Sequence, residues 1–203
     1  MPKSPKSMNG KMANSYYFAL KKIIMKKSII KYGLIGGAIS IVFMMVFAIC
    51  FDKSNLDHGM VVGYIGIILL SLPIYFGIAD YAKTAVEKPG YLKQLGTGLL
   101  IAIIAGLCYA LTWTILYYTM FPDFMEKYSA SVIEKATKAH KSIEEIQKLN
   151  EQLAGFKKIY ANGPLAILFI TFLTEPLPVG IIISLISSAI IYYRNKKLIR
   201  QAS

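Results

Sequence analysis

The chain has 203 residues, of which 55% are hydrophobic and only 17% are charged, yet its net charge is +12. Soluble domains average about 45–50% apolar and about 25% charged residues, and the composition excludes disordered, collagen-like and small disulfide-rich proteins. An apolar chain with an excess of lysine is typical of a membrane protein.

The N-terminal segment, residues 1–28, is basic and has little hydrophobic periodicity before Tyr16. We expect a partly disordered cytoplasmic extension that includes a short basic amphipathic piece against an anionic inner leaflet. Met25 stands directly before Lys26 and Lys27 at the edge of the first apolar block. Translation from Met25 is therefore an alternative to translation from Met1.

Four long apolar blocks follow this segment. Each is long enough to cross a hydrocarbon core of about 30 Å as a helix of about 20 residues. Because backbone groups in lipid must bond internally, we predict an all-α integral membrane protein, a four-transmembrane-helix bundle. The predicted spans are about 29–51, 60–79, 96–121 and 165–193, inside a membrane domain of residues 29–193 that a basic tail, 194–203, follows.

The segment between the third and fourth spans, residues 122–164, has helical periodicity. Pro122 and Asp123 open a first amphipathic helix, and Ser142 with Glu145 forms the pattern of a capping box at the start of a second. The sequence Asn162-Gly163-Pro164 ends it. In the first helix, one face is predicted to carry Phe124, Tyr128, Val132 and Ala136. In the second helix, the apolar face is predicted to carry Ile143, Ile146, Leu149, Leu153, Phe156 and Tyr160. This segment forms either a ligand-binding cap or a plain helical extension.

The distribution of charge predicts the orientation. Residues 1–31, 80–94 and 194–203 together hold fifteen basic and two acidic residues, whereas residues 52–59 and 122–164 hold eight of each. Lysine and arginine are enriched in cytoplasmic segments. Both termini are therefore predicted to be cytoplasmic, with 52–59 and 122–164 on the outer side of the membrane. Aromatic side chains favour the headgroup level, and they crowd the outer end of the third span: Tyr109, Trp113, Tyr117, Tyr118 and Phe121.

Small residues recur every fourth position within the spans, a spacing that lets helix backbones approach closely. The longest stripe lies in the third span. It predicts either packing within one bundle or a seam between two copies. The predicted packing residues are Gly33, Gly37, Gly59, Gly63, Gly98, Ala102, Gly106, Ala110, Gly180, Ser184 and Ser188.

Glu175 is the candidate functional residue. It is the only charge in the fourth span, and Pro176 and Pro178 follow it. An acid at the bilayer centre costs about 2.5–3.5 kcal/mol on insertion scales, and an acid beside a broken helix is typical of ion and proton pathways. Alternatively, Glu175 lies nearer the outer interface and accepts a hydrogen bond from a Ser, Thr or Tyr side chain.

No pattern in the sequence indicates an enzyme or a resident cofactor. Walker, dinucleotide-binding, nucleophile-elbow and HExxH motifs are absent. Cys50 and Cys108 lie inside apolar blocks, and with only two His residues they make no convincing metal site. We therefore expect no cofactor and no metal, and membrane topology explains the lysines without a nucleic-acid partner.

Four sequence elements carry a resemblance to a known family. They are Lys31-Tyr32-Gly33-Leu34-Ile35-Gly36-Gly37, Gly59-Met60-Val61-Val62-Gly63-Tyr64 leading to Tyr75-Phe76-Gly77-Ile78, Pro122-Asp123-Phe124-Met125-Glu126-Lys127-Tyr128, and Pro178-Val179-Gly180 with Ser184-Leu185-Ile186-Ser187. In order and spacing, over about residues 25–193, they resemble the bacterial membrane family of unknown function numbered 4199. The resemblance implies a small four-helix inner-membrane protein and no known activity.

The expected function is therefore non-enzymatic: a membrane-embedded accessory, scaffold or sensor protein. The alternative is a small transporter or proton-coupled carrier that uses Glu175. The expected partners are the lipid bilayer and either a second copy of the chain or another membrane protein.

Overall fold

The computed structural model describes the backbone of residues 10–50 and 56–202, and the side chains of residues 16, 19–49, 65, 66, 68, 69, 71–197 and 201. This part of the chain forms seven helices and no strand, which confirms the all-α prediction. The helices are α1 (Gly10–Cys50), α2 (Leu56–Thr84), α3 (Tyr91–Thr119), α4 (Phe124–Lys138), α5 (Ile143–Ala161), α6 (Pro164–Thr174) and α7 (Pro176–Ala202).

Three helical stretches are long and apolar enough to cross a membrane. They are Ala19–Ile49 in α1, Tyr91–Thr119, which is α3, and Pro164–Lys197, which covers α6 and most of α7. They match the first, third and fourth predicted spans. The second predicted span, 60–79, lies in α2, and several of its side chains lie outside the described residues. The structure therefore indicates a membrane protein and leaves the number of spans at three or more.

α1 is longer than its predicted span. It contains 41 residues, which corresponds to about 60 Å at about 1.5 Å per residue. Residues 10–28 are helical and continuous with the first predicted span. The rest of the N-terminal extension, residues 1–9, lies outside the described residues, and so does the prediction of disorder there.

Helices α4 and α5 form as the sequence predicts. The Ser142 side chain accepts a hydrogen bond from the Glu145 backbone, and the Glu145 side chain accepts one from the Ser142 backbone, which confirms the capping box. On the predicted face of α4, Ala136 is buried and Phe124, Tyr128 and Val132 are half-buried. The rings of Phe124 and Tyr128 stack on each other at 5.7 Å.

The chain divides into two compact units. Unit 1 comprises Met1–Gly36, Ser71–Ile104 and Gly180–Ser203, and unit 2 comprises Gly37–Leu70 and Ala105–Val179. Helices α1, α2, α3 and α7 contribute residues to both units, whereas α4, α5 and α6 belong to unit 2 alone. Each unit has its own apolar cluster.

Aliphatic and small side chains form the core of unit 1. Five of the predicted packing residues lie at close helix contacts there, namely Gly33, Gly98, Ala102, Gly180 and Ser184. A Cβ atom built on Gly33 would lie 2.8 Å from Ile104, one on Gly98 would lie 2.7 Å from Ile78, and one on Gly180 would lie 2.7 Å from the Ala102 Cβ. The buried members of this core are Ile29, Ile74, Ile78, Ala79, Ala82, Ile101, Ala102 and Ile191.

Larger side chains fill unit 2. Its cluster contains Met44, Ala48, Tyr109, Leu116 and Phe121, with Trp113 and Phe124 packed against it. Gly37 is in close contact with Cys108, and Gly106 with Phe172 and Pro176. Ala110 is fully buried. The stripe of the third span is therefore covered within the chain, which supports its interpretation as internal packing. Gly59 and Gly63 lie where the side chains are outside the described residues.

Candidate functional site

Glu175 lies at the junction of α6 and α7 in unit 2. It caps the C-terminus of α6, with φ −113° and ψ −79°, and its backbone N–H donates to the Thr171 carbonyl at 3.1 Å. Pro176 and Pro178 lack the N–H groups that would continue this hydrogen-bond pattern. The sequence thus breaks the helix at the residue that carries the acid, as the prolines predict.

The carboxylate of Glu175 binds a phenol. The Tyr109 hydroxyl of α3 donates a hydrogen bond to Glu175 Oε2, with 2.7 Å between the oxygen atoms. Tyr109 is buried, and Glu175 is partly buried. A carboxylate oxygen inside an apolar environment is costly unless a donor satisfies it. The alternative in which Glu175 bonds to a Ser, Thr or Tyr side chain therefore has its partner in Tyr109.

A second bond lies one turn farther along α3. Trp113 follows Tyr109 by four residues, which places both side chains on one helix face. The Trp113 Nε1–H donates to the Tyr160 hydroxyl of α5 at 3.2 Å. This bond joins the predicted outer segment to the helix that holds the partner of Glu175.

Aromatic rings surround this second bond. Trp113 meets Phe124 edge-on with 4.8 Å between ring centroids, and Tyr117 meets Tyr160 edge-on at 5.0 Å. Such edge-on pairs contribute beyond their buried area. The N-terminus of α4 and the C-terminus of α5 are thereby held against α3.

Tyr160 keeps its proton in this setting. Burial raises the pKa of its hydroxyl, and the hydrogen bond from Trp113 opposes that rise. A neutral phenol both donates and accepts hydrogen bonds. We call the residues Tyr109, Trp113, Tyr160, Thr171 and Glu175 the Glu175 cluster.

The sequence identified Glu175 and the two prolines, but not the whole cluster. Pro176 is buried and packs near Gly106, whereas Pro178 is exposed. Tyr109 and Trp113 were expected as members of an interfacial belt. Tyr160 was expected only on the apolar face of α5. The depth of Tyr109 within its span was the one signal that set it apart.

The chemistry available to the cluster is limited to hydrogen bonding and proton exchange. It contains one carboxyl group, two phenols, one hydroxyl and one indole N–H. Among the residues that the structure describes, no group of three or more His, Cys, Asp or Glu side chains forms a metal site.

Comparison with known proteins gives one match. A family described as a protein of unknown function (DUF4199) matches residues 31–192, a stretch that includes all of unit 2 and confirms the resemblance found in the sequence. No curated protein and no solved structure matches the chain. Because the match covers most of its length, the chain belongs to the DUF4199 family.

Proposed function

We infer that the protein is a non-enzymatic accessory, scaffold or sensor protein of the bacterial inner membrane. The observation that carries this proposal is the hydrogen bond from Trp113 of α3 to Tyr160 of α5. It couples a helix apolar enough to span the membrane to a polar helix pair. A partner that binds α4 or α5 therefore acts directly on α3, the helix that holds Tyr109, the hydrogen-bond partner of Glu175.

We further propose a multi-pass topology in which both termini lie in the cytoplasm. The charge asymmetry between the two sets of connecting segments supports it. Reporter fusions at residue 203 and within the turn at 139–141 test it. A reporter that folds only in the cytoplasm is expected to be active at residue 203 and inactive in the turn. The reverse pattern contradicts this orientation.

An accessory or scaffold role requires a partner at the outer helices. Ile143 is 85% exposed on α5, whereas Leu153 of the same helix is buried. A photoreactive residue at position 143 is expected to give a discrete protein adduct in cells, and the same residue at position 153 is expected to give none. An adduct at twice the mass of 22.6 kDa indicates a second copy. The absence of any adduct at position 143 contradicts the proposal.

The alternative is a proton-coupled carrier. The observation that favours it is a carboxyl group at a helix break, with Tyr109 as its one side-chain hydrogen-bond partner among the described residues. Half-helices that meet at a polar site are typical of transporters. In liposomes, Glu175→Gln is expected to abolish proton flux if this alternative holds. Glu126→Gln, on the exposed face of α4, is the matched control. Flux that Glu175→Gln leaves unchanged rules out the carrier.

A further inference from the structure

In unit 1, the packing of α3 against α7 defines a register. A Cβ atom built on Gly180 would lie 2.7 Å from the Ala102 Cβ, and one built on Gly98 would lie 2.9 Å from Ser184 Oγ. Helices α3 and α7 therefore run antiparallel along this contact, so that earlier residues of α3 lie beside later residues of α7. Gln94 precedes Gly98 by four residues and Ser188 follows Ser184 by four, so this register places Gln94 level with Ser188.

Four polar side chains contain buried atoms without partners among the described residues: Gln94, Ser184 and Ser188 lie along this contact, and Asn195 lies on α7 beyond the start of α3. Gln94, Ser184 and Ser188 are fully buried. Among the described residues, no hydrogen-bond partner is present for four atoms: Gln94 Oε1, Ser184 Oγ, Ser188 Oγ and Asn195 Nδ2. The other polar atom of Gln94, Nε2, donates to the Pro89 carbonyl at 2.8 Å. We call these four residues the α3–α7 polar file.

Among the buried helical residues that the structure describes, hydroxyls without a partner are the exception, and outside the file only Thr171 of α6 has one. Thr97, on α3 beside the file, donates to the Lys93 carbonyl at 2.8 Å. Ser40 donates to the Gly37 carbonyl and Ser129 to the Met125 carbonyl, both at 2.6 Å. Such bonds to a preceding carbonyl are the usual way in which a helix satisfies a hydroxyl. Because a buried polar atom without a partner destabilises the folded state, a ligand that bonds to the file would stabilise the protein.

The mixture of groups identifies the ligand. Gln94 Oε1 only accepts hydrogen bonds, Asn195 Nδ2 only donates them, and the serine hydroxyls do both. A metal cation would take the oxygen lone pairs and leave the Asn195 N–H unsatisfied. Water both donates and accepts, and it commonly satisfies buried polar groups of this kind.

We propose that the α3–α7 polar file holds a row of ordered water molecules inside unit 1. Ser184, Ser188 and Asn195 lie on one face of α7 because they are spaced by four and seven residues. The eleven residue steps from Ser184 to Asn195 cover about 16 Å of helix. Polar residues within membrane helices often mark ion or proton pathways. The inference concerns unit 1 and does not depend on the role of Glu175.

Hydroxyl-radical footprinting by X-ray radiolysis tests for the water. The full chain is irradiated in lipid nanodiscs, where radicals form from bound water as well as from bulk water. Ile191, which is buried and three residues from Ser188, is expected to oxidise several times faster than Leu116, which is buried in the apolar cluster of unit 2. Equal oxidation of the two residues overturns the proposal.

A variant distinguishes a file that binds water from a file whose polar atoms are buried without any partner. Ser188→Ala removes a ligand of the water and leaves Gln94 Oε1 without one, so we expect Tm to fall by about 2–4 °C and oxidation of Ile191 to fall toward that of Leu116. Ser40→Ala is the matched control, because its hydroxyl already bonds to a backbone carbonyl. A Tm for Ser188→Ala that equals or exceeds that of Ser40→Ala overturns the proposal. Replacing Na⁺ and K⁺ by N-methyl-D-glucamine is expected to leave Tm unchanged, and a loss of Tm overturns the proposal in favour of a cation.

Discussion

In unit 2, two pairs of polar side chains bond between helices, Tyr109–Glu175 and Trp113–Tyr160. In unit 1, fully buried oxygen atoms of Gln94, Ser184 and Ser188 have no such partner among the described residues. The apolar environment differs in parallel, since aromatic rings line the first set and small residues the second. Both units contain close helix contacts, and they differ in whether the polar groups named here are paired between helices.

The largest effect is expected from a substitution among the aromatic residues of unit 2. Trp113→Ala removes the ring contact with Phe124 and the hydrogen bond to Tyr160. We expect the free energy of unfolding to fall by about 3 kcal/mol, measured by thermal or denaturant unfolding in detergent. Ile115→Ala, on the exposed face of the same helix, is the control and is expected to change it by about 0.5 kcal/mol or less. Equal losses in the two variants would show that the aromatic cluster does not stabilise unit 2.

The next largest effect is expected from a glycine substitution at the close helix contacts of unit 1. Gly180→Ala would place its Cβ 2.7 Å from the Ala102 Cβ, which has no flexible end that can move away. We expect a loss of about 1–3 kcal/mol from this overpacking. Gly96→Ala, where nothing lies within 4 Å of the added atom, is expected to gain about 0.5–1 kcal/mol. Adding Ala102→Gly to Gly180→Ala should restore stability, and a failure to do so would contradict the close contact.

A double-mutant cycle sharpens the contrast in pairing. Tyr109→Phe and Glu175→Leu each remove one side of the bond in unit 2. The cycle is expected to give a coupling energy of about 0.6–1.7 kcal/mol, as for hydrogen bonds inside other membrane proteins. The control cycle combines Tyr109→Phe with Glu126→Gln, and its coupling energy should be near zero. A similar value in both cycles would mean that the Tyr109–Glu175 bond adds no stability.

The smallest expected effect is local to the start of α5 and depends on pH. The hydrogen bond from the Ser142 backbone to the Glu145 side chain lowers the pKa of Glu145. A lowered pKa means that the ionised cap stabilises α5 above the unfolded pKa of about 4.3. This stabilisation is lost as the pH falls through the folded pKa. Amide exchange at residues 143–146, corrected for intrinsic rates, should therefore lose protection on acidification. Glu145→Ala should abolish this dependence, and its persistence in that variant would contradict the assignment.

Local patterns predicted local structure well. The capping box needs only Ser142 and Glu145, three residues apart, and the helix break needs only Pro176 beside Glu175. Both are present because they depend on backbone geometry within one or two turns. The apolar blocks likewise predicted long helices, since lipid-compatible length is a property of the sequence itself.

Pairings between distant residues were not predictable in this way. Tyr109 and Glu175 are separated by 66 positions, and nothing in either local sequence distinguishes this tyrosine from its neighbours except its depth. The face of α4 that the sequence predicts is only half-buried at Phe124 and Tyr128, whose rings stack on each other, and Phe124 also meets Trp113. An apolar pattern predicts which residues avoid water, but aromatic rings often satisfy it while they remain partly exposed at a helix terminus.

Trp113 is the only tryptophan of the chain, so the ultraviolet-excited indole emission of the protein comes from one position. That indole bonds to Tyr160 of α5 and lies against Phe124 at the start of α4. The wavelength and lifetime of the emission therefore report whether these helices rest on α3. The protein carries its own optical probe of this contact, and titration with a partner of the outer helices can be followed without an added label.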